Sequence, residues 1–287
     1  MTDQDELVDP RLVMRYGTVD LDYAARLAGS GEDDGPVWMI NLMRYRERAE
    51  YADGRPSALT GWQADDLYAP LDSLAAVGAE IVFLGEVETQ LLGDPPPWDR
   101  VAVVRYPSGR SFIEMQRRDD FVAHHVHKDA GMAATVVTGA RPFPPPPAPE
   151  GAPDQERVPH PSSDEDPPIV VVHVVAFARD DTTLEDSVER LSTYTAHATD
   201  VAVRHGVRIA GWFRCDGTII GDGRSWDQVR FNAFPGRAAF MAVVTDPDRL
   251  AAQQEHREPA MSDTYTMIVR PVIDELEASW NHEEVGS

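Results

Sequence analysis

The stretches "GDPPPWDRVAVVRYPSGRSFIEM" (Gly93–Met115) and "GDGRSWDQVRFNAFPGRAAFMAV" (Gly221–Val243) write one element twice. Aligning Trp98 with Trp226 sets an offset of 128, which also pairs Gly78 with Gly206, Ile81 with Ile209, Asp99 with Asp227, Pro107 with Pro235 and Phe112 with Phe240. With one residue inserted, His127 falls on His256, Met132 on Met261 and Arg141-Pro142 on Arg270-Pro271. Self-similarity at a fixed period over this length marks a tandem duplication.

Each copy changes hydrophobic period in the same order. The apolar runs "VWMINLMRY" (Val37–Tyr45) and "IVVVHVVAF" (Ile169–Phe177) have strand length. Helical patterns follow, "YAPLDSLAAVG" and "LEDSVERLSTYTAHATDVAVRHG", each closed by glycine. Strands "AEIVFLGEVE" and "VRIAGWFRC" come next, then turns at Gly93-Asp94 and Gly221-Asp222, and strands beginning "WDRVAVVRY" and "WDQVRFNAF". A second helix and a last short strand ("TVVTG", "TMIVR") complete an order βαββαβ, the split βαβ or ferredoxin-like unit. Such a unit carries both helices on one sheet face and needs cover on the other. Two copies in one chain are expected to cover each other face to face, placing function between the paired sheets or at their mouth.

The proline-rich acidic segment 143–168 has little to bury and reads as a solvated linker with polyproline II character. It separates a first unit, 37–142, from a second, 169–275. Residues 1–36 form an N-terminal extension whose "VDLDYAARLA" suits a short helix over a sheet edge, and 276–287 form a tail.

A formal charge of −23 without a basic patch argues against nucleic acid as a partner. No apolar run reaches membrane-span length, and "MTDQDELVDP" lacks signal-peptide character, so the chain is expected to be cytoplasmic and away from membranes. The single cysteine, Cys215, excludes an intramolecular disulfide framework.

The residues "WMINLMRY", "GAEIVFLGEVE", "WDRVAVVRYPS", "FIEM" and "HKDAGM" resemble a domain-of-unknown-function family of the dimeric α+β barrel superfamily, near the YciI-, antibiotic-biosynthesis-monooxygenase- and EthD-like proteins. The resemblance covers about residues 37–142. The second unit keeps "WD" and "HRE" (His256-Arg257-Glu258) but replaces Asn41-Leu42 by His173-Val174 and "YPS" by "FPG". What the resemblance implies is an intramolecular barrel made as a pseudo-dimer. Superfamily relatives include cyclases, isomerases, monooxygenases and haem enzymes, so fold selects no reaction.

Strand alternation puts Met39, Asn41, Met43 and Tyr45 on one face and Trp38, Ile40 and Leu42 on the other. The wholly apolar set is expected under the helices, which turns Asn41 and Tyr45 into the inter-sheet cavity. His173 occupies the matching face of the second unit, as a general acid or base or as a histidine bonded within the core. Glu86 and Arg214 are paired by the offset and are expected near a pseudo-twofold axis, as a charged cavity floor or a rim ion pair. Apolar residues at two-residue spacing flank each of them, Val82 and Leu84 beside Glu86 and Ala210 and Trp212 beside Arg214. Arg230 and Asn232 stand where the first unit has Ala102 and Val104, which suggests one polar and one apolar pocket wall, suited to a small molecule with a carboxylate or enolate.

His124 and His127 share a helical face, yet no third ligand completes a metal signature, so no metal is expected. A nucleophile elbow, a P-loop and a dinucleotide fingerprint are absent. The sequence therefore reads as a cofactor-independent enzyme of small-molecule, secondary metabolism, a cyclase, isomerase or lyase acting on an apolar substrate. His173, Glu86, Asn41 and Arg230 are its catalytic candidates, and Tyr45, Met39, Met43, Trp212, Arg214 and Asn232 its substrate contacts. The alternatives are a non-catalytic binding barrel and a cofactor-free monooxygenase, in a monomeric pseudo-dimer or a homodimer.

Overall fold

The computed structural model describes residues 7–145, 157–179 and 183–281. β1 (Thr18–Val19) and α1 (Leu21–Gly29) precede the first repeat, which comprises β2 (Val37–Tyr45), α2 (Gly61–Tyr68), α3 (Leu71–Ala76), β3 (Glu80–Leu92), β4 (Arg100–Tyr106), α4 (Gly109–Gln116), α5 (Asp119–Gly131) and β5 (Met132–Pro142). The second comprises β6 (Ile169–Phe177), α6 (Leu184–Arg204), β7 (Arg208–Gly221), β8 (Gln228–Phe234), α7 (Arg237–Val244), α8 (Pro247–Ala252), a π-helical turn (Gln253–Arg257), α9 (Glu258–Ala260) and β9 (Met261–Asp274), followed by α10 (Leu276–Asn281).

The strands run β1-β7-β5-β2-β4-β3-β9-β6-β8 and the ring closes through β7–β8, giving an eight-stranded antiparallel barrel with β1 as an extra strand. Both repeats use the same internal order: fourth, first, third, second strand. The halves are not stacked as separate sheets, as expected from the pattern, but are joined edge to edge. The cause is the length of the second strands. The start of β3 pairs with β4 (Glu80–Glu86) and its continuation pairs with β9 as far as Leu92. β7 does the same with β8 and then β5. Closure removes the free edges that an open sheet would expose.

The barrel is filled, not hollow. Trp38, Ile40, Leu42, Phe83, Phe213, Phe231 and Met267 point inward at 0–2 % exposure, each contributing roughly 1.5–3 kcal/mol by burial. This reverses the expected facing of the first strand: the apolar set lines the interior, and Met39, Asn41, Met43 and Tyr45 lie on the outer surface under the helices. A dry interior admits only apolar side chains, whereas the layer between sheet and helices also accommodates polar ones.

The repeated Trp-Asp has a structural role in both copies. Asp99 N donates to Met43 O (2.9 Å) and Asp99 Oδ2 accepts from Tyr45 N (2.7 Å). Asp227 N donates to Val175 O (2.8 Å) and its Oδ2 accepts from Phe177 N (2.7 Å). Trp98 and Trp226 close one barrel mouth on either side of Tyr265. At the other mouth α10 acts as a plug, with Leu276 buried in the core, Trp38 Nε1 donating to Ser279 Oγ (3.0 Å) and Trp280 Nε1 to Ala210 O (3.0 Å).

Asp20 caps α1, whose Tyr23 lies across Gly139 and Gly217 at the β5–β7 seam; a Cβ on Gly139 would sit 2.0 Å from the Tyr23 hydroxyl. Residues 146–156, the centre of the proline-rich segment, are outside the described residues. Its end is docked rather than solvated: Asp166 accepts from Arg237 N (2.7 Å) and Ala238 N (2.9 Å), supplying the cap that Gly236 cannot.

The helices over the two outer faces differ. α6 is one continuous helix of 21 residues, capped by Thr183. The helical stretch expected over Tyr68–Gly78 is instead split, α2 ending at Tyr68 and α3 starting after Pro70, because the residue before proline is kept out of the helical region.

Candidate functional site

Two pockets open beneath these helices, one per repeat. The larger, about 690 Å³, lies between α6, the π-helical turn and the outer faces of β6–β8. Val175, Leu191, Ile209, Phe234 and Phe240 give it apolar walls. Alternation on adjacent strands brings His173 of β6, Trp212 of β7 and Arg230 and Asn232 of β8 onto its floor.

Arg230 Nη1 donates to Thr195 Oγ1 (2.9 Å), Nη2 to Gln228 Oε1 (2.7 Å), and the guanidinium stacks 4.2 Å over Trp212. Arg257, 5 % exposed, reaches the pocket from the π-helical turn, a kind of irregularity that often marks functional positions. Arg249 completes the basic side, with Nη1 donating to Val244 O (3.3 Å). Among the described residues none of these three arginines makes an ion pair. Burial lowers the pKa of Arg257 and brings that of Arg230 down to about 10, which leaves Arg230 charged at neutral pH. His173 Nδ1 lies 3.2 Å from Thr266 Oγ1. Burial first, and then Arg257, Arg230 and Arg249, hold its pKa well below the usual imidazole range, which leaves the ring neutral.

The second pocket, about 380 Å³, lies under α2, α3 and α5 against β2–β4 and takes in Met39, Asn41 and Met43. Its polar end is a compensated network. Tyr45 Oη donates to Asp65 Oδ2 (2.6 Å), Arg100 Nη1 pairs with the same oxygen (3.2 Å), and the Arg100 guanidinium lies 3.8 Å over Trp62. Tyr16 Oη and His125 Nε2 are 2.7 Å apart. Lys128 Nζ sits 5.0 Å from the Tyr68 ring centroid and 5.8 Å from that of Tyr16. Burial pushes Asp65 up and Lys128 down, and burial with the neighbouring Lys128 charge brings His125 down to about 3.

Glu86 and Arg214 enter neither pocket. Both are exposed, Glu86 in register with Arg270 on the β3–β9 seam and Arg214 with Arg141 on the β5–β7 seam. Equivalent positions of two repeats lie on opposite seams of the ring, so the expected pairing across the axis fails. The three histidines of "HHVH" also diverge: His124 faces the Asp120 carbonyl, His125 faces Tyr16 and His127 faces Tyr51. Asp65, Lys128 and Arg257 were not among the sequence candidates. For two of them a signal existed, since the shifted offset that aligns "HKD" with "HRE" places Lys128 on Arg257.

Fold and site together define an antiparallel α+β barrel with two unlike pockets on its outer face. No protein-family model matches the chain, and no curated protein does. Among solved structures, a Rhodopseudomonas palustris protein of unknown function is 28 % identical over 46 % of this chain and all of its own, with a TM-score of 0.41. A provisionally assigned monooxygenase from Lactobacillus acidophilus is 10 % identical, over 83 % of this chain and 94 % of its own, at a TM-score of 0.42. A mutant chlorite dismutase from Candidatus Nitrospira defluvii is 11 % identical, over 86 % and 95 %, at 0.47. These likenesses transfer neither a reaction nor a cofactor. Among the described residues no helix is long and apolar enough to cross a membrane.

Proposed function

We propose that this chain is a small-molecule enzyme of the dimeric α+β barrel kind, two ferredoxin-like units (37–142 and 169–275) fused into a monomeric pseudo-dimer, whose working site is the pocket beneath α6. Its substrate is an apolar molecule bearing a carboxylate or an enolisable carbonyl. The observation that carries this reading is a set of guanidinium groups facing an apolar cavity with no ion-pair partner among the described residues, in a chain of net charge −23. Buried charge without a partner is costly, and a bound anion supplies the partner. Arg230 and Arg257 hold that anion; Trp212 and the aliphatic walls hold the rest.

The anion also readies His173. Its neutrality is enforced partly by three neighbouring positive charges, and a negative ligand beside it offsets them and raises its basicity. The imidazole then takes a proton from carbon adjacent to the carbonyl, while the guanidiniums stabilise the charge that develops on oxygen. Returning the proton to a different carbon completes an isomerisation; attack of the enolate carbon on a second carbonyl of the same molecule opens that C=O, whose oxygen takes the proton from the His173 imidazolium, and completes a cyclisation. Neither step calls for a cofactor, and the location of such a protein is the cytoplasm.

Calorimetry with cyclic and aryl-bearing oxo-carboxylates, each with a C–H next to the ketone, against their methyl esters, followed by NMR of deuterium exchange from D2O, tests the proposal. Carboxylates are expected to bind and esters not to. His173→Ala is expected to retain binding but lose exchange. Binding without any exchange in the unmodified protein would make this a ligand-binding barrel. Carboxylate affinity unchanged in Arg230→Met and Arg257→Met would remove the reading altogether.

A further inference from the structure

The chain contains 25 arginines and one lysine. That lysine is not on the surface: Lys128 is 8 % exposed, lines the pocket of the first repeat, and makes no hydrogen bond or ion pair among the described residues. Its ammonium nitrogen stands over the Tyr68 and Tyr16 rings, at the polar end of a cavity whose remaining lining includes Met39, Met43, Leu74, Ile81 and Phe112. The neighbouring carboxylate, Asp65, is already held by Tyr45 and Arg100 and is not consumed by pairing with it.

We propose that this pocket is a second site, separate from that of His173, which captures an apolar aldehyde or ketone as an imine on Lys128. For positive charge alone, arginine would serve, as it does at the equivalent position, Arg257. What lysine adds is an amine that gives up its proton and becomes a nucleophile. Burial favours the uncharged amine here. The nitrogen lone pair attacks the carbonyl carbon, and the oxygen takes up the proton to give a carbinolamine. The C–O bond then breaks, and the oxygen leaves as water with both nitrogen protons as the C=N bond forms. No oxidant or reductant enters. Asp65 is the group in the pocket able to pass protons between nitrogen and the departing oxygen. Apolar walls select the carbonyl compound and hold bulk water away from the imine.

The chain has two primary amines, its amino terminus and Lys128, which makes the test direct. The full chain is incubated with benzaldehyde and cyanoborohydride, and the adducts are located by intact mass and peptide mapping, beside a urea-unfolded sample and a parallel reaction with glyoxylate. One benzyl group on Lys128 is expected, formed faster in the folded chain than in the unfolded one, because the apolar pocket holds the aldehyde against the nitrogen and burial favours the free amine. Formation is expected to saturate with benzaldehyde but not with glyoxylate. Lys128→Arg should remove that adduct and keep the far-ultraviolet dichroism. Labelling confined to the amino terminus in the folded chain, with Lys128 reacting only after unfolding, would overturn the proposal. Equal rates in folded and unfolded chains would overturn it as well. Neither result bears on His173 or Arg230, so the two sites stand or fall separately.

Discussion

The two pockets occupy equivalent places in the two repeats and carry opposite solutions to burying charge. On the first strand Asn41 answers to His173; before the last strand Lys128 answers to Arg257. In the first repeat a buried carboxylate, Asp65, sits among the cations. In the second the cations face an apolar cavity with no carboxylate among its described lining residues. A homodimer writes the same residues into both of its pockets, because one gene serves both. A chain that carries both repeats is free of that constraint, and here one pocket holds a carboxylate among its cations while the other is lined by cations.

The largest test of this contrast is Asp65→Ala. It strands Arg100 without its carboxylate, and a loss of roughly 3–5 kcal/mol in urea unfolding is expected for breaking a buried pair on one side. Below about 1 kcal/mol, the first pocket would not be a compensated network. The reverse applies across the barrel. Arg257→Met removes a buried cation that has no ion-pair partner among the described residues, so the ligand-free protein should keep its stability while carboxylate affinity falls about 10–100-fold, as for a charged hydrogen bond worth about 1.5–3 kcal/mol.

Acid provides a graded version. His125, at about 3 in the folded chain against 6.5 when unfolded, is a histidine whose folded value is depressed. Its contribution is complete above pH 6.5 and is lost as pH falls toward 3, with a slope approaching 1.4 kcal/mol per pH unit. His173 is depressed as well and adds its own share, so unfolding measured between pH 6.5 and 5.5, above the ordinary carboxylate range, should show a slope that His125→Gln reduces and His125→Gln with His173→Ala removes. The smallest effect belongs to Asn41→Ala. Asn41 donates to its own strand at Met39 O (2.9 Å), and a cost within about 1 kcal/mol is expected. A much larger cost would mean that Asn41 holds something in the pocket.

Much of this architecture could be read from the sequence because the duplication gave every element a second witness. That His173, Trp212, Arg230 and Asn232 share one face follows from period-two alternation on neighbouring strands. The facing of β2 was misread for a definite reason. Both of its surfaces are buried, one in the barrel and one under helices, so alternation separates two faces without saying which is inner. The extensions of β3 and β7 were missed because "TQLL" and "DGTIIG" look like turn approaches until their partners, β9 and β5, are known. Lys128 escaped notice because a charged residue near a helix end usually reads as solvated. Its burial depends on α2 and α3 folding over it, which is tertiary information.

The edge-to-edge closure of the ring has a consequence for how the protein is made. β9 supplies the seam partner of β3, so the inner face carrying Trp38, Ile40, Leu42 and Phe83 stays uncovered until the chain is synthesised to about residue 274. At about 5–20 residues per second, roughly 7–26 s separate the appearance of β5 from that of β9. A half-barrel that must find a second molecule waits for a time set by its concentration. In this protein the wait is set by the ribosome, and the missing half arrives already tethered.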